Sequence, residues 1–170
     1  MSTLYLMVGL PGAGKTTRAI ALARERGAVR LTPDEWMSPL FGVSDVDNRR
    51  DILEGRLIWT ATHIISTGTD VILDFGLWGR DERAALHWLA ATRNARAETV
   101  YLPIDPATQL RRVTRRWENT PHNTWQIDSD TLEQWRSIFQ PPDDNERQGR
   151  FPTDHPDWTS WIQNRWPTAI

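Results

Sequence analysis

The stretch "GLPGAGKTT", Gly9 to Thr17, follows the apolar run Leu4 to Val8 and constrains the fold more than any other feature of the chain. A short, wholly apolar run broken by glycine reads as a strand buried on both faces. Gly9-x-x-x-x-Gly14-Lys15-Thr16 then satisfies the phosphate-binding loop pattern in full. Small residues at these positions let backbone N–H groups curl into a concave anion site that a larger side chain would block. The helix expected from Lys15 adds the partial positive charge of its N-terminus. The motif predicts a bound nucleoside triphosphate lined by Gly9, Pro11, Gly12, Ala13, Gly14, Lys15, Thr16 and Thr17. Lys15 is expected to bridge the β- and γ-phosphates, and the Thr16 hydroxyl to ligate Mg²⁺. The chain has no guanine-reading Asn-Lys-x-Asp tetrad, so ATP is expected before GTP.

The pattern beyond the loop alternates strands with helices. A helix is predicted over Lys15 to Arg26, a strand over Ala28 to Leu31 that ends at "TPDEW", and a cap at Ser44 with Asp47 before a helix to about Thr67. "DVILD" (Asp70 to Asp74) and "ETVYLPI" (Glu98 to Ile104) supply two more strands, separated by a helix from about Arg80. Pro106 opens a further helix to about Trp117, and Ser129 or Asp130 caps one that ends at Phe139. "PPDDNERQG" reads as a loop, and Pro156 to Trp166 as a last short helix. Such alternation predicts an α/β fold: an open, doubly wound parallel sheet of four strands with helices on both faces. The expected organisation is a core over 1–140, with a lid near 115–125, and a Trp-rich tail over 141–170 packed on the core. Trp36, Trp59 and Trp88 fall in helical stretches and are expected in the core.

With 170 residues, 20 Lys+Arg, 22 Asp+Glu and no cysteine, the chain has no global pull toward nucleic acid and no thiol chemistry. It has neither a basic lead into a long apolar stretch nor a membrane-length window, so no membrane partner and a cytoplasmic location are expected.

Three further sites bear on chemistry. Asp34, in "LTPDEWM", follows the second strand, where a parallel sheet opens its ligand crevice. A carboxylate there can take a proton from an acceptor hydroxyl, and it can equally cap a helix after Pro33. Asp74 ends "VILD", the form found where a strand meets Mg²⁺. Holding the acceptor and capping the next turn are the other roles open to it. Arg111, Arg112, Arg115 and Arg116 share one predicted helix before the turn-rich "ENTPHNT". That is where a phosphoryl-transfer lid carries its charge-stabilising arginine; Arg115 and Arg116 lead for that role, with Arg112 on the nucleotide.

Taken in order, "GLPGAGKTT", "LTPDEWM", "VILDFGLWGRDER" and "LRRVTRR" resemble the small P-loop kinases of the AAA_33 type, a group similar to polynucleotide kinase, zeta toxin and chloramphenicol phosphotransferase. The resemblance covers roughly Leu4 to Phe139. It implies that Asp34 is the acceptor-side general base, that Lys15 and Thr16 take the phosphate-loop roles, and that the arginines after the fourth strand form the lid. "FGLWGR" lacks the polar pattern of the polynucleotide enzymes, and the tail from Asn145 has no counterpart. The expected activity is therefore transfer of the ATP γ-phosphate to a hydroxyl of a small molecule. A 5′-hydroxyl polynucleotide kinase and an ATPase or switch acting on a protein partner are the alternatives.

Overall fold

A computed structural model describes residues 1–42, 49–119, 127–151 and 157–170. The cap expected at Ser44 and Asp47, most of "ENTPHNT" and Trp125 lie outside the described residues. The elements run β1 (Thr3–Val8), α1 (Lys15–Arg26), β2 (Val29–Leu31), α2 (Asp34–Phe41), α3 (Arg49–Ser66), β3 (Val71–Gly76), α4 (Arg80–Thr92), β4 (Arg96–Tyr101), α5 (Pro106–Asn119), α6 (Ser129–Ile138), α7 (Asp144–Arg147) and α8 (Trp158–Arg165).

The four strands form one parallel sheet in the order β2-β3-β1-β4. β1 is central because it can lose all its surface to neighbours: every residue from Thr3 to Val8 is buried. Alternation along the strand divides its side chains between two layers. Leu4, Leu6 and Val8 join Leu53, Leu57, Leu86 and Leu89 of α3 and α4, while Tyr5 and Met7 join Ala19 and Leu22 of α1.

The C-terminal helix adds to the first layer. Trp166 is fully buried and Trp158 nearly so, with Trp161 edge-on to both at 5.8 Å between ring centroids. Gly55 makes room for this packing. A Cβ there would lie 2.5 Å from the Thr168 hydroxyl and about 3 Å from the backbone nitrogens of Thr168 and Ala169. Glycine costs about 1 kcal/mol in a helix interior relative to alanine, and here the close approach of a second chain segment requires it.

The structure departs from the sequence reading in several places. α2 is the helix that the sequence offered after Pro33 only as the alternative role for Asp34; buried Met37 anchors it and Gly42, at φ 75°, closes it despite Pro39 inside. α7 lies within the expected loop. Asp143 caps it by accepting from the Glu146 N–H at 2.8 Å, and Glu146 makes a buried pair with Arg83 of α4 at 2.7 Å. That tertiary partner has no local signature in the sequence. The α6 cap is Asp128, which accepts from Thr131 N–H at 2.8 Å, and is neither Ser129 nor Asp130 as expected. β4 lies nearer the N-terminus than expected, because pairing with β1 already holds Arg96 opposite Thr3. Trp36 and Trp59 are 48% and 37% exposed and not core, whereas Trp88 packs against it.

His87 of α4 faces Thr99 of β4 at 3.2 Å and the Phe151 ring at 3.9 Å between centroids. Burial, with the nearby Arg83 charge, lowers its pKa from 6.5 to about 4. Between these values the unfolded chain takes a proton that the folded chain refuses, so stability falls as pH drops through this window. At about 1.4 kcal/mol per unit, the loss amounts to about 3 kcal/mol. Urea titrations of His87→Phe should show a flatter decline than the parent between pH 6.5 and pH 4. Parallel declines would exclude His87 as the cause.

Candidate active site

The crevice opens where β1, β2 and β3 end, and each strand delivers one part of it. β1 runs into the phosphate loop. Gly9 (φ 152°) donates its N–H to the Gly76 carbonyl at 3.2 Å, and a Cβ on it would sit 2.7 Å from the Leu102 carbonyl oxygen. Gly14 caps α1 at φ 92°, in the left-handed region that favours glycine. No side chain caps this helix, and its first turn carries no acidic residue. The N-terminal N–H groups therefore keep an unneutralised positive end, which fits a phosphate.

Lys15 donates to the loop's own Leu10 carbonyl at 3.0 Å. Burial lowers its pKa; Asp74 and Asp34 pull it upward, and Arg116 and Arg50 push it down. One ammonium group thus senses carboxylates of β3 and α2 and arginines of α5 and α3. Thr17 is exposed in the first turn, and Ala13 is buried beneath the loop.

β3 delivers Asp74, whose side chain is only 2% exposed. Its carboxylate accepts from the Arg30 guanidinium of β2 at 3.1 Å and from the Thr16 hydroxyl. Burial raises its pKa, and Arg30, Lys15 and Thr16 oppose that rise. A hydroxyl and a carboxylate held together beside a phosphate loop are the oxygen donors Mg²⁺ prefers. Just past the strand, buried Leu77 takes φ 43°, a backbone state unusual for leucine, while its carbonyl accepts from Arg83 at 3.0 Å.

Asp34 is the first residue of α2, directly beyond β2. Its side chain is 69% exposed and accepts from Arg50 of α3 at 2.9 Å. Arg50 also holds Glu54 at 3.0 Å. On the opposite wall α5 packs against the phosphate loop. Arg112 donates to the Gly12 carbonyl at 3.1 Å, and Gln109, fully buried, donates to the Pro11 carbonyl at 3.1 Å. Arg111 instead reaches Thr108 of its own helix at 3.3 Å, and Arg115 is exposed on α5.

The structure therefore brings Lys15, Thr16, Asp74, Asp34, Arg112 and Arg116 to one crevice. Sequence reasoning missed Arg30, Arg50 and Glu54. Each left a signal: Arg30 is the lone cation in the short strand "AVRL", and Arg50 and Glu54 stand four apart at the start of a helix, where side chains meet.

This architecture is a P-loop, kinase-like α/β fold. Residues 4–142 match the AAA_33 family, an AAA domain, and the chain belongs to that family. No curated protein sequence matches the chain. Among solved structures, a protein named as a putative kinase, from Chloroflexus aurantiacus j-10-fl, superposes with a TM-score of 0.66 at 20% identity, covering 95% of each chain. Kti12 of Chaetomium thermophilum, in complex with ADP-AlF3, gives 0.66 at 15% identity over 98% of this chain and 99% of its own. A gluconokinase from Sinorhizobium meliloti 1021 gives 0.55 at 15% identity, over 99% and 90%. At such identities the likeness is one of fold.

Lys15→Ala removes the half-buried ammonium group beside the phosphate loop. It should weaken ATP far more than adenosine in calorimetric titrations, by about 10-fold or more for the triphosphate, since charge-assisted phosphate contacts are the strong ones. Equal ATP affinity in the variant would take Lys15 out of the nucleotide site.

Proposed function

We propose that the protein is an ATP-dependent phosphotransferase that moves the γ-phosphate to a hydroxyl of a small, uncharged or weakly charged molecule. The observation that carries this reading is the state of the acceptor-side arginines. Arg30 is paired with Asp74 and Glu35, and Arg50 with Asp34 and Glu54. A nucleic acid backbone is bound by cations that exchange counterions for phosphates, and guanidiniums already held by carboxylates serve that purpose poorly. The paired arrangement favours a small alcohol over an oligonucleotide.

In this reading the residues divide the work by position. The α1 N-terminus, the loop N–H groups and Lys15 hold the β- and γ-phosphates, with Arg112 beside the loop. Thr16 and Asp74 would hold Mg²⁺, which when bound offsets negative charge on the phosphates. Asp34 receives the proton of the acceptor hydroxyl as its oxygen bonds to the γ-phosphorus and the bond to ADP breaks. Arg115 and Arg116 approach from the α5 side, where charge on the transferring group redistributes. Asp34 stands exposed and within electrostatic range of Lys15, as a base facing an entering substrate requires.

Transfer of labelled γ-phosphate should be screened across sugars, polyols, nucleosides, aminoglycoside- and phenicol-like alcohols and 5′-hydroxyl oligonucleotides. A labelled small alcohol is the expected result. Labelling of oligonucleotides alone would favour the polynucleotide kinase, and ATP hydrolysis with no labelled acceptor would favour the switch. With the acceptor found, Asp34→Asn should lower transfer by roughly 10²–10⁴-fold and leave ATP affinity intact. Retained transfer would exclude Asp34 as base.

Neutralising Arg115 and Arg116 together should lower kcat by about 10²-fold while ADP affinity changes little, because such charges act mainly as the phosphoryl group transfers. An equal loss of ADP affinity would make them ground-state phosphate clamps.

A further inference from the structure

The acceptor wall is tied to the C-terminal segment by polar contacts that run from a buried one at Trp166, through a partly buried one at Glu54, to an exposed one at Asp34. Trp166, fully buried, donates its indole N–H to Glu54 at 3.1 Å. Glu54 accepts from Arg50 at 3.0 Å, and Arg50 donates in turn to Asp34 at 2.9 Å. Arg165, next to Trp166, reinforces the same end of α3. Its guanidinium reaches Asp51 at 2.6 Å and Glu82 of α4 at 2.8 Å, with Glu54 at 3.8 Å. The docking is tight on the backbone as well: Thr168 donates to the Ile52 carbonyl at 2.6 Å, and Gly55 admits Thr168 and Ala169.

We propose that Trp166, Glu54 and Arg50 are positioning residues for the acceptor side of the crevice: the C-terminal segment fixes Glu54, Glu54 fixes Arg50, and Arg50 holds the Asp34 carboxylate toward Lys15.

Two physical points support this assignment. An exposed aspartate at the first residue of a helix has several rotamers, and only some face the phosphate loop. A guanidinium anchored on a buried carboxylate restricts them, since its planar fork fixes direction as well as charge. Glu54 is itself costly to bury as a carboxylate, and burial raises its pKa against the pull of Arg50, Trp166 and Arg165. The indole N–H and two guanidiniums hold the Glu54 carboxyl group in place beneath Arg50. A well-packed apolar residue would fill that space without directing Arg50.

The inference rests on Asp34 acting as the base, and its test separates the two. Hydrolysis of γ-labelled ATP uses water as the acceptor, so it needs no knowledge of the alcohol. The water oxygen bonds to the γ-phosphorus, the bond to ADP breaks, and Asp34 takes the proton. Full-length Asp34→Asn, Arg50→Met and Trp166→Phe are compared singly, and the latter two also in the Asp34→Asn background. Arg50→Met and Trp166→Phe should each lower kcat by about 10-fold or more at nearly unchanged ATP affinity, in line with the cost of a misplaced catalytic group. Neither should lower it further once Asp34 is Asn, because residues acting through one group are non-additive. Arg50→Lys should recover part of the loss. Rates are scaled to the folded fraction from circular dichroism, and Arg50→Met, at a partly exposed site, keeps the test open if Trp166→Phe folds poorly. Additive losses in the Asp34→Asn background, or losses that vanish after scaling, would overturn the positioning role alone. Unchanged hydrolysis in Asp34→Asn would overturn the base and the positioning role together.

Discussion

The site depends first on one buried charge, the Asp74 carboxylate at the end of β3. With 2% of its side chain exposed, it has little water to solvate it. Burial of an unpaired carboxylate would shift it to the neutral acid or unfold its surroundings. Partners therefore have to come to it, and they come from different elements: Arg30 from β2, Lys15 and Thr16 from the start of α1. Meeting that one requirement sets the phosphate loop against the ends of β2 and β3. The crevice between loop and acceptor wall follows from this convergence.

A second set of paired charges lies outward of the first. Arg50 stands between Asp34 and Glu54, as Arg30 stands between Glu35 and Asp74. The two arginines and their four carboxylates give the acceptor side directional hydrogen bonds with no surplus of positive charge. On the opposite side α5 lies close enough for Arg112 to touch the loop at Gly12 and for the Arg116 charge to reach Lys15. Among the described residues, the α5 wall carries Arg112 and Arg116, while on the facing wall Arg30 and Arg50 are held by four carboxylates.

Packing explains why these walls hold their places. The β1 residues divide between a layer with α1 and a thicker layer with α3, α4 and α8. The thicker layer contains both the root of Glu54 and the fully buried Trp166, so the acceptor wall and the C-terminal segment share one core. α4 is tied in turn to α7 by the buried Arg83–Glu146 pair, whose guanidinium also reaches the Leu77 and Trp78 carbonyls after β3. Removing either member of such a pair leaves an uncompensated buried charge, which costs about 3–5 kcal/mol.

The sequence by itself determined the parts that depend on local chemistry. The apolar run Leu4 to Val8, the glycines after it and Lys15-Thr16 specify a buried strand, an anion-binding turn and a helix start. Strand-helix alternation was enough for the parallel sheet, and Asp34 and Asp74 stood out because the one follows an expected strand and the other ends one. What only the tertiary structure decided are the partnerships across long separations. Arg30 with Asp74, Trp166 with Glu54 and Arg83 with Glu146 join residues 44, 112 and 63 positions apart. Helical and strand periodicity records which face of an element is apolar, but carries no label for the element it meets. The same limit explains α7, whose Glu146 has its reason for burial in Arg83, and Trp36, whose helical setting said nothing of its exposed face. Charges buried by folding acquire their partners only when the layers close, and that closure turned separate motifs into one crevice.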